Sequence, residues 1–381
     1  MQSLTTNGST MLRYAIIGGA AGIAPTHIRA LQQLPGAHIV GLSDINAEGG
    51  AARAAEVGCH FFVEHREMLA ELNPDVAVIC APHPFHPPLA LDAFAAGAHV
   101  LVEKPIAVSV GEADTMIAAA EHAGRCLAVS FQQRFRPAVE HIRGLIDTGE
   151  LGTLVRVLCV EPWYRPAAYY SSASWRGTWQ GEGGGVLMNQ APHTLDLLCA
   201  MVGLPHKVWG WTRTIAHAIE VEDTAQAMLE YSNGAPGYLN INTVEHGLKQ
   251  RIDIIGDRAA LEWVGDQLTI HRFKRSLSEF RANSTAMFSA PEVVSEQVTL
   301  PPGDGGGHLA VYRDLQDAIA TGRTPRTDGR SAIMALELAN AITLSSYTDR
   351  AVTLPVDRAA YGALLAELRQ GDREKRRQGD I

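Results

Sequence analysis

Between Arg13 and Phe131 short apolar runs alternate with stretches whose apolar residues return at helical spacing. The runs Arg13–Ile17, His38–Ser43, Phe61–Val63, Val76–Cys80, His99–Val102 and Cys126–Phe131 read as strands. Helical patterns lie between them, the first through Ile23, His27, Ala30, Leu31 and Leu34, then Ala51–Val57, Arg66–Leu72, Pro88–Ala96 and Ser109–His122. Repeated βα units of this kind specify a parallel sheet wrapped on both faces, which excludes a helical bundle or an all-β fold for this half.

The first strand ends at Gly18-Gly19 and a helix follows. Strand, glycine turn and helix bring backbone N–H groups and a helix N-terminus to a pyrophosphate. The glycine fingerprint is degenerate: its best register falls on Gly19, Ala21 and Ala24, with an extra glycine at Gly22 and then Ile23. Asp44 closes the second strand, where a carboxylate accepts hydrogen bonds from an adenosine ribose and repels a 2′-phosphate. With uncharged Ile45 next to it, Asp44 favours NAD over NADP, although the same carboxylate would also serve as a turn cap.

Ligands bind beyond the carboxyl ends of such strands, so two later loops matter. Ala81-Pro82-His83-Pro84-Phe85-His86 is stiff and reads as cofactor packing, with Pro82 and His86 as the contacts; it lacks a third ligand for a metal. Glu103-Lys104-Pro105 places a lysine at a strand end, where its ammonium can stabilise developing oxyanion charge. A Lys–Glu surface pair is the alternative.

At 381 residues the chain is too long for one ordinary core, and two domains are expected. Its formal charge of −9 argues against nucleic-acid binding. Five widely spaced cysteines without a CxxC pair read as reduced, buried thiols of a cytoplasmic protein. Met1–Thr10 lacks the charged and apolar regions of a signal peptide and reads as a loose tail. No apolar run approaches the ~20 residues of a membrane span.

The second half centres on Gly181 to Asp196, Gly-Glu-Gly-Gly-Gly-Val-Leu-Met-Asn-Gln-Ala-Pro-His-Thr-Leu-Asp. Three consecutive glycines allow close backbone approach, and the apolar run after them reads as a buried helix. Pro192 is tolerated only in a first turn, which puts the helix start near Asn189–Ala191 and His193 just inside it. His193 is a candidate general acid/base or a packed structural histidine. Ahead of it, Glu161–Gln180 concentrates Trp163, Tyr164, Arg165, Tyr169, Tyr170, Trp175, Arg176 and Trp179, suited to stacking on a sugar and binding its hydroxyls, or to a packed loop.

Strand-like runs from Val208 to Phe273, separated by turns such as Ser232-Asn233-Gly234, read as antiparallel hairpins with one face buried. Glu220, Glu222 and Asp223 bunch before one strand and read as a solvated turn, not a metal site; no metal is expected anywhere. Arg275–Gln297 reads as a surface excursion, and Gly303–His308 repeats a glycine-rich approach to a histidine, making His308 a secondary candidate. Leu309–Ala320 and Ser331–Thr348 read as helices, and Arg369–Arg377 as a charged tail.

From about Arg13 to about Asp357 the chain resembles the Gfo/Idh/MocA family of glucose–fructose oxidoreductase, inositol dehydrogenase and relatives. The resemblance rests on Glu103-Lys104-Pro105 after Ala96–Val100, on Val129-Ser130-Phe131-Gln132-Gln133-Arg134-Phe135-Arg136-Pro137, and on Gly183-Gly184-Gly185 leading to His193 and Asp196. It implies a loose tail (1–10), a Rossmann domain (11–131), an α/β substrate and oligomerisation domain with a large open, mostly antiparallel sheet (132–357), and a terminal helix and tail (358–381). It implies NAD held by Gly19, Ala21, Gly22, Ile23, Asp44, Pro82, His86, Glu103, Lys104 and Gln132. Lys104 and His193 act at a substrate carbinol, and Arg134, Trp163, Arg165, Trp175, Arg176 and Asn189 hold a sugar, glycoside or polyol. Relatives often carry aspartate where this chain has Asn189, so an inositol-dehydrogenase-type Asp–His pair is absent here. A dimer or tetramer is implied too. Two other classes stay open: an NAD-dependent glycoside-cleaving enzyme working through transient oxidation at C3, and a non-catalytic dinucleotide-binding sensor.

Overall fold

The computed structural model describes residues 11–303 and 305–371. They form two compact units, one built of residues up to Phe135 together with Gly305–Leu336, the other of Arg136 to Asp304 and Glu337 onward. A boundary at residue 131 alone would leave Gly305–Leu336 with the second unit; the structure adds it to the first.

The first unit alternates β1 (Leu12–Ile17), α1 (Ala24–Gln32), β2 (Ala37–Ser43), α2 (Ala47–Val57), β3 (His60–Phe62), α3 (His65–Leu72), β4 (Val76–Ile79), α4 (His86–Ala95), β5 (His99–Val102), α5 (Val110–Ala123) and β6 (Leu127–Val129). Its six strands are parallel and lie in the order β3-β2-β1-β4-β5-β6. The order reverses direction between β1 and β4, the switch point beyond which dinucleotides bind. Gly18 makes this junction possible: its φ is +89°, and a Cβ there would lie 2.9 Å from the carbonyl carbon of Cys80 at the end of β4. The core gathers Tyr14, Ile16, Leu31, Leu42, Val78 and Leu101, and Tyr312 and Leu315 from the late segment complete it.

The second unit contains α6 (Pro137–Asp147), β7 (Leu154–Pro162), α7 (Ala167–Tyr170), α8 (Val186–Asn189), α9 (Pro192–Val202), β8 (Lys207–Arg213), β9 (Thr224–Glu230), β10 (Pro236–Asn242), β11 (Arg251–Gly256), β12 (Ala259–Val264), β13 (Gln267–Phe273), α10 (Leu277–Asn283) and β14 (Val293–Gln297). Helix α11 (Gly307–Thr321) returns to the first unit, α12 (Gly329–Thr348) runs from one into the other, and β15 (Val352–Thr353) and α13 (Arg358–Arg369) close the second. Nine strands form one sheet in the order β14-β13-β12-β11-β7-β10-β9-β8-β15. All pairs are antiparallel except β10 with β7.

Alternation along the strands sorts this sheet into a covered and an open face. On the covered face α12 seats on β8, where Ser345 Oγ accepts from Gly210 N at 2.9 Å and Ser346 Oγ from Thr212 N at 2.8 Å. On the open face Trp209 pairs with Met228, and Met228 with Tyr238, a row of large side chains left in solvent.

Two expectations change. Glu222 and Asp223 are 5% and 0% exposed, so this stretch is a buried brace and not a solvated turn. Asp223 accepts from the amides of Ile215, Ala216 and His217 and from the Thr224 hydroxyl, which compensates the burial of its charge. Arg275–Gln297 is exposed but built, carrying α10 and an edge strand, β14, paired to β13. Arg369–Arg377 lies mostly outside the described residues, as does Met1–Thr10.

The tightest point of the α12 contact is Gly210, where a Cβ would fall 2.2 Å from the Ile342 carbonyl oxygen. Gly210→Ala must push helix from sheet, and a loss of about 2–3 kcal/mol is expected. Urea unfolding followed by circular dichroism measures it; an unchanged midpoint would contradict the packing described.

Candidate active site

The turn after β1 is shaped for an anion. Ala21 N donates to Gly18 O and Ala24 N to Ala21 O, whereas the amides of Gly22 and Ile23 donate to no atom among the described residues. A Cβ on Gly22 would meet nothing within 4 Å, and the first turn of α1 carries no acidic side chain. Two unspent amides at an open helix N-terminus are the cradle a pyrophosphate needs. Gly19 and Ala21 fix this turn, and Asp44 ties it to β2: its Oδ2 accepts from Ala20 N at 2.8 Å and its Oδ1 from Asn46 N at 2.8 Å. Gln132, in a short turn after β6, buries its Oε1 without a hydrogen-bond partner among the described residues, the kind of acceptor a bound polar group satisfies. These residues fit a dinucleotide.

Other residues singled out by the sequence brace the site. His86 is fully buried, with Nδ1 2.8 Å from Pro105 O and Nε2 2.8 Å from Ala81 O, so it fastens the loop carrying Pro82 to the Lys104-Pro105 turn. Burial lowers its basicity. Arg134 is 4% exposed and donates to Arg326 O, Ser331 Oγ and Ser331 O, holding the late segment inside the first unit. Glu103 turns inward, 2.8 Å from His27 Nε2, while Lys104 is half-buried at the strand end.

In the second unit, the Gly183–Gly185 run answers a packing demand. A Cβ on Gly185 would lie 1.8 Å from Glu222 O, while Val186 N donates to that oxygen and Leu187 N to Glu222 Oε1. The chain forms the single turn α8, breaks at Gln190-Ala191, and restarts as α9 with Pro192 at its first position. Asn189 therefore ends one helix and His193 begins the next. Asn189 Nδ2 donates to Glu182, a buried carboxylate that also accepts from Gly177 N at 2.7 Å.

Around this pair the predicted aromatic and cationic residues gather. The Arg176 guanidinium stacks 4.4 Å from the rings of Tyr169 and Trp175, donates to Tyr169 Oη at 2.7 Å and stands 3.9 Å from Glu182. Arg165 lies over Tyr169 and Trp163 at 5.1 and 5.7 Å, and Gln190 donates to Tyr169 Oη. Tyr169 and Glu182 thus organise the group. The sequence marked Tyr169 only as one aromatic among several and passed over Glu182, whose place between glycines was the available signal. A cleft of about 830 Å³, within the usual range for small-molecule sites, is lined by Tyr170, Arg176, Thr178, Arg213, His217 and Glu220. It shares Arg176 with the network but not Asn189 or His193.

Known proteins resemble this chain in sequence and fold. The model of the oxidoreductase family with an NAD-binding Rossmann fold matches residues 12–131, and the Gfo/Idh/MocA C-terminal domain matches residues 139–262. The WlbA dehydrogenase of Bordetella pertussis, solved in complex with NADH and UDP-GlcNAcA, is 30% identical with a TM-score of 0.77, covering 91% of this chain and 99% of that one. An uncharacterized oxidoreductase of Synechocystis is 30% identical over 287 residues, 70% of this chain and 76% of its own length. D-glucoside 3-dehydrogenase of Escherichia coli is 29% identical over 204 residues, 52% of this chain and 56% of its own. The fold and the glycine turn define an NAD-binding oxidoreductase. The chain belongs to the Gfo/Idh/MocA family.

Burial places two further carboxyls near neutrality. Glu161, which accepts from Thr194 Oγ1 at 3.0 Å beside His193, is pushed up to about 7 by desolvation, against the pull of Thr194 and the Arg136 charge. Glu222 is likewise raised to about 7 by burial, opposed by backbone amides. A carboxyl raised in the folded state costs stability once ionised, so this cost is absent below the ordinary value of 4.5 and grows as pH rises towards 7. Glu161→Gln is expected to gain roughly 2–3 kcal/mol over the parent at pH about 8 and nothing below pH about 4.5. Paired unfolding curves at the two pH values check the sign.

Proposed function

We propose that this chain oxidises a secondary hydroxyl of a sugar, glycoside or polyol with NAD. The observation that carries the substrate class is the network of Arg165, Tyr169, Arg176, Glu182 and Asn189 beside the start of α9, flat π faces interleaved with fixed donors and acceptors. Such a surface stacks on pyranose C–H faces and pairs with ring hydroxyls. The named relatives that act on or were solved with sugar derivatives support the same class.

NAD⁺, when bound, supplies the hydride acceptor. His193 takes the hydroxyl proton as the carbinol carbon gives up its hydride, and CH–OH becomes C=O. The Lys104 ammonium stabilises the charge growing on that oxygen. Asn189, its amide fixed by Glu182, orients the neighbouring ring hydroxyl but accepts no proton. Asp44 favours NAD over NADP. Reduced cysteines suit a cytoplasmic enzyme: none of the five is in a disulfide, and Cys80, Cys159 and Cys199 are buried. No helix among the described residues is long and apolar enough to cross a membrane.

The open sheet face supports self-association into a dimer or tetramer. Trp209, Trp211, Met228 and Tyr238 are 43%, 40%, 54% and 45% exposed on three adjacent strands, a patch of the kind that marks protein interfaces. Trp209→Glu with Trp211→Glu is expected to lower the mass seen by sedimentation to that of one chain; an unchanged mass would place the interface elsewhere.

His193→Ala is expected to lower kcat by about 10²–10⁴-fold while NAD affinity, read by calorimetry, stays within about threefold. A screen of free sugars, polyols and glycosides by NADH absorbance supplies the substrate. Retained turnover in the variant would remove His193 from the mechanism, and tightly held cofactor with glycoside cleavage but no net NADH would redirect the reading to transient oxidation.

A further inference from the structure

Glu103 sits among groups that cofactor chemistry does not explain. Its Oε1 lies 2.8 Å from Nε2 of His27, on α1, and 3.8 Å from Nε2 of His308, the second residue of α11. The three ligand-type atoms fall within 4.8 Å of one another, inside the first unit. The two imidazoles meet edge to face at 5.1 Å.

We propose that His27, Glu103 and His308 bind a divalent transition-metal ion of the zinc type. The 2.8 and 3.8 Å separations bracket the roughly 3.3 Å expected between neighbouring ligand atoms of tetrahedral zinc. Two imidazoles and one carboxylate are a common zinc ligand set and a poor one for magnesium or calcium, which want oxygen. Lys104, next in sequence, acts electrostatically on Glu103 and opposes any cation, so the affinity must come from the imidazole nitrogens.

The surroundings prepare His27 as a ligand. Its Nδ1 is 2.7 Å from the buried Tyr312 hydroxyl. With Tyr312 donating, Nε2–H bonds Glu103; with Tyr312 accepting, Nδ1 carries the proton and Nε2 presents a lone pair. The hydroxyl serves both tautomers, so the Nδ1 bond survives the switch and the Nε2–H···Glu103 bond is exchanged for the ion; a partner on the other ring nitrogen is the usual support of a metal-bound histidine. The His27 side chain is fully enclosed, while those of Glu103 and His308 keep 11% and 16% exposure, so an ion enters from the His308 side, where a water completes the coordination. Three glycines of positive φ, Gly305 to Gly307, deliver His308 to this position.

A bound ion would join α1, which carries the cofactor turn, to α11 and to the residue preceding Lys104. It would compete for the Glu103 carboxylate that now also accepts from Lys104 N at 3.3 Å, making the site inhibitory. That consequence rests on the dehydrogenase reading; binding does not.

The test titrates chelator-stripped, full-length protein with Co²⁺. Near one ion per chain by calorimetry, with visible d–d bands of a low-coordinate nitrogen-ligated site, is expected, undisturbed by excess Mg²⁺. Tyr312→Phe should weaken binding by about 10–100-fold and His308→Ala by more, with NAD affinity and circular dichroism unchanged as the check on folding. Absent d–d bands in the parent, or equal affinity in His308→Ala, overturns the proposal. In a second readout Zn²⁺ suppresses turnover of the parent but not of His308→Ala; the Co²⁺ spectrum needs no turnover, so it separates failure of this site from failure of the dehydrogenase reading.

Discussion

The backbone of Gly185 runs so close to Glu222 that a methyl group would fall 1.8 Å from a carbonyl oxygen, and the second unit is arranged to allow it. The approach lets Val186 N donate to the Glu222 carbonyl and Leu187 N to the Glu222 carboxylate, which satisfies the first amides of α8 in place of a capping side chain at Gly185. Starting there, α8 has one turn before Pro192 forces a new helix, and the break puts Asn189 and His193 on different helices. Glu182, drawn in ahead of the same glycines, fixes Asn189 and neutralises Arg176 from 3.9 Å. One close backbone contact thus bears on where an imidazole, an amide and a guanidinium stand.

The first unit handles its polar groups by fastening them. His86 spends both ring nitrogens on backbone carbonyls, Arg134 spends its guanidinium on Ser331 and Arg326, and Asp44 spends both oxygens on turn amides. Buried donors and acceptors that are all paired hold a loop without apolar packing, at a cost in desolvation recovered by the bonds themselves. Against this background the amides of Gly22 and Ile23, which donate to no atom among the described residues, are informative, as is the buried Oε1 of Gln132.

Much of this was legible along the chain. Short apolar runs and helical patterns marked the strands and helices of the first unit, Gly18-Gly19 marked the turn after β1, and Pro192 marked the start of α9. Local rules failed where the partner is distant. Arg134 finds Ser331 197 residues on, and His27 finds Tyr312 285 residues on, so neither role leaves a trace near its own position. Glu222 and Asp223 looked solvated because charge density predicts exposure, and the amides that compensate them come from distant backbone, Leu187 for Glu222 and the folded loop Ile215–His217 for Asp223. Arg275–Gln297 read only as a surface excursion because an exposed edge strand has no buried face to impose alternation.

The late segment of the first unit bears on how the chain is made. Ribosomes deliver β1 to β6 early, but Tyr312 and Leu315, which complete their core, and Ser331, which holds Arg134, emerge only after nearly all of the second sheet. The nascent Rossmann sheet must wait with one flank uncovered while the second unit is synthesised. Factors that shield apolar surface during translation would find their binding window there, and a pause before Gly305 would lengthen it.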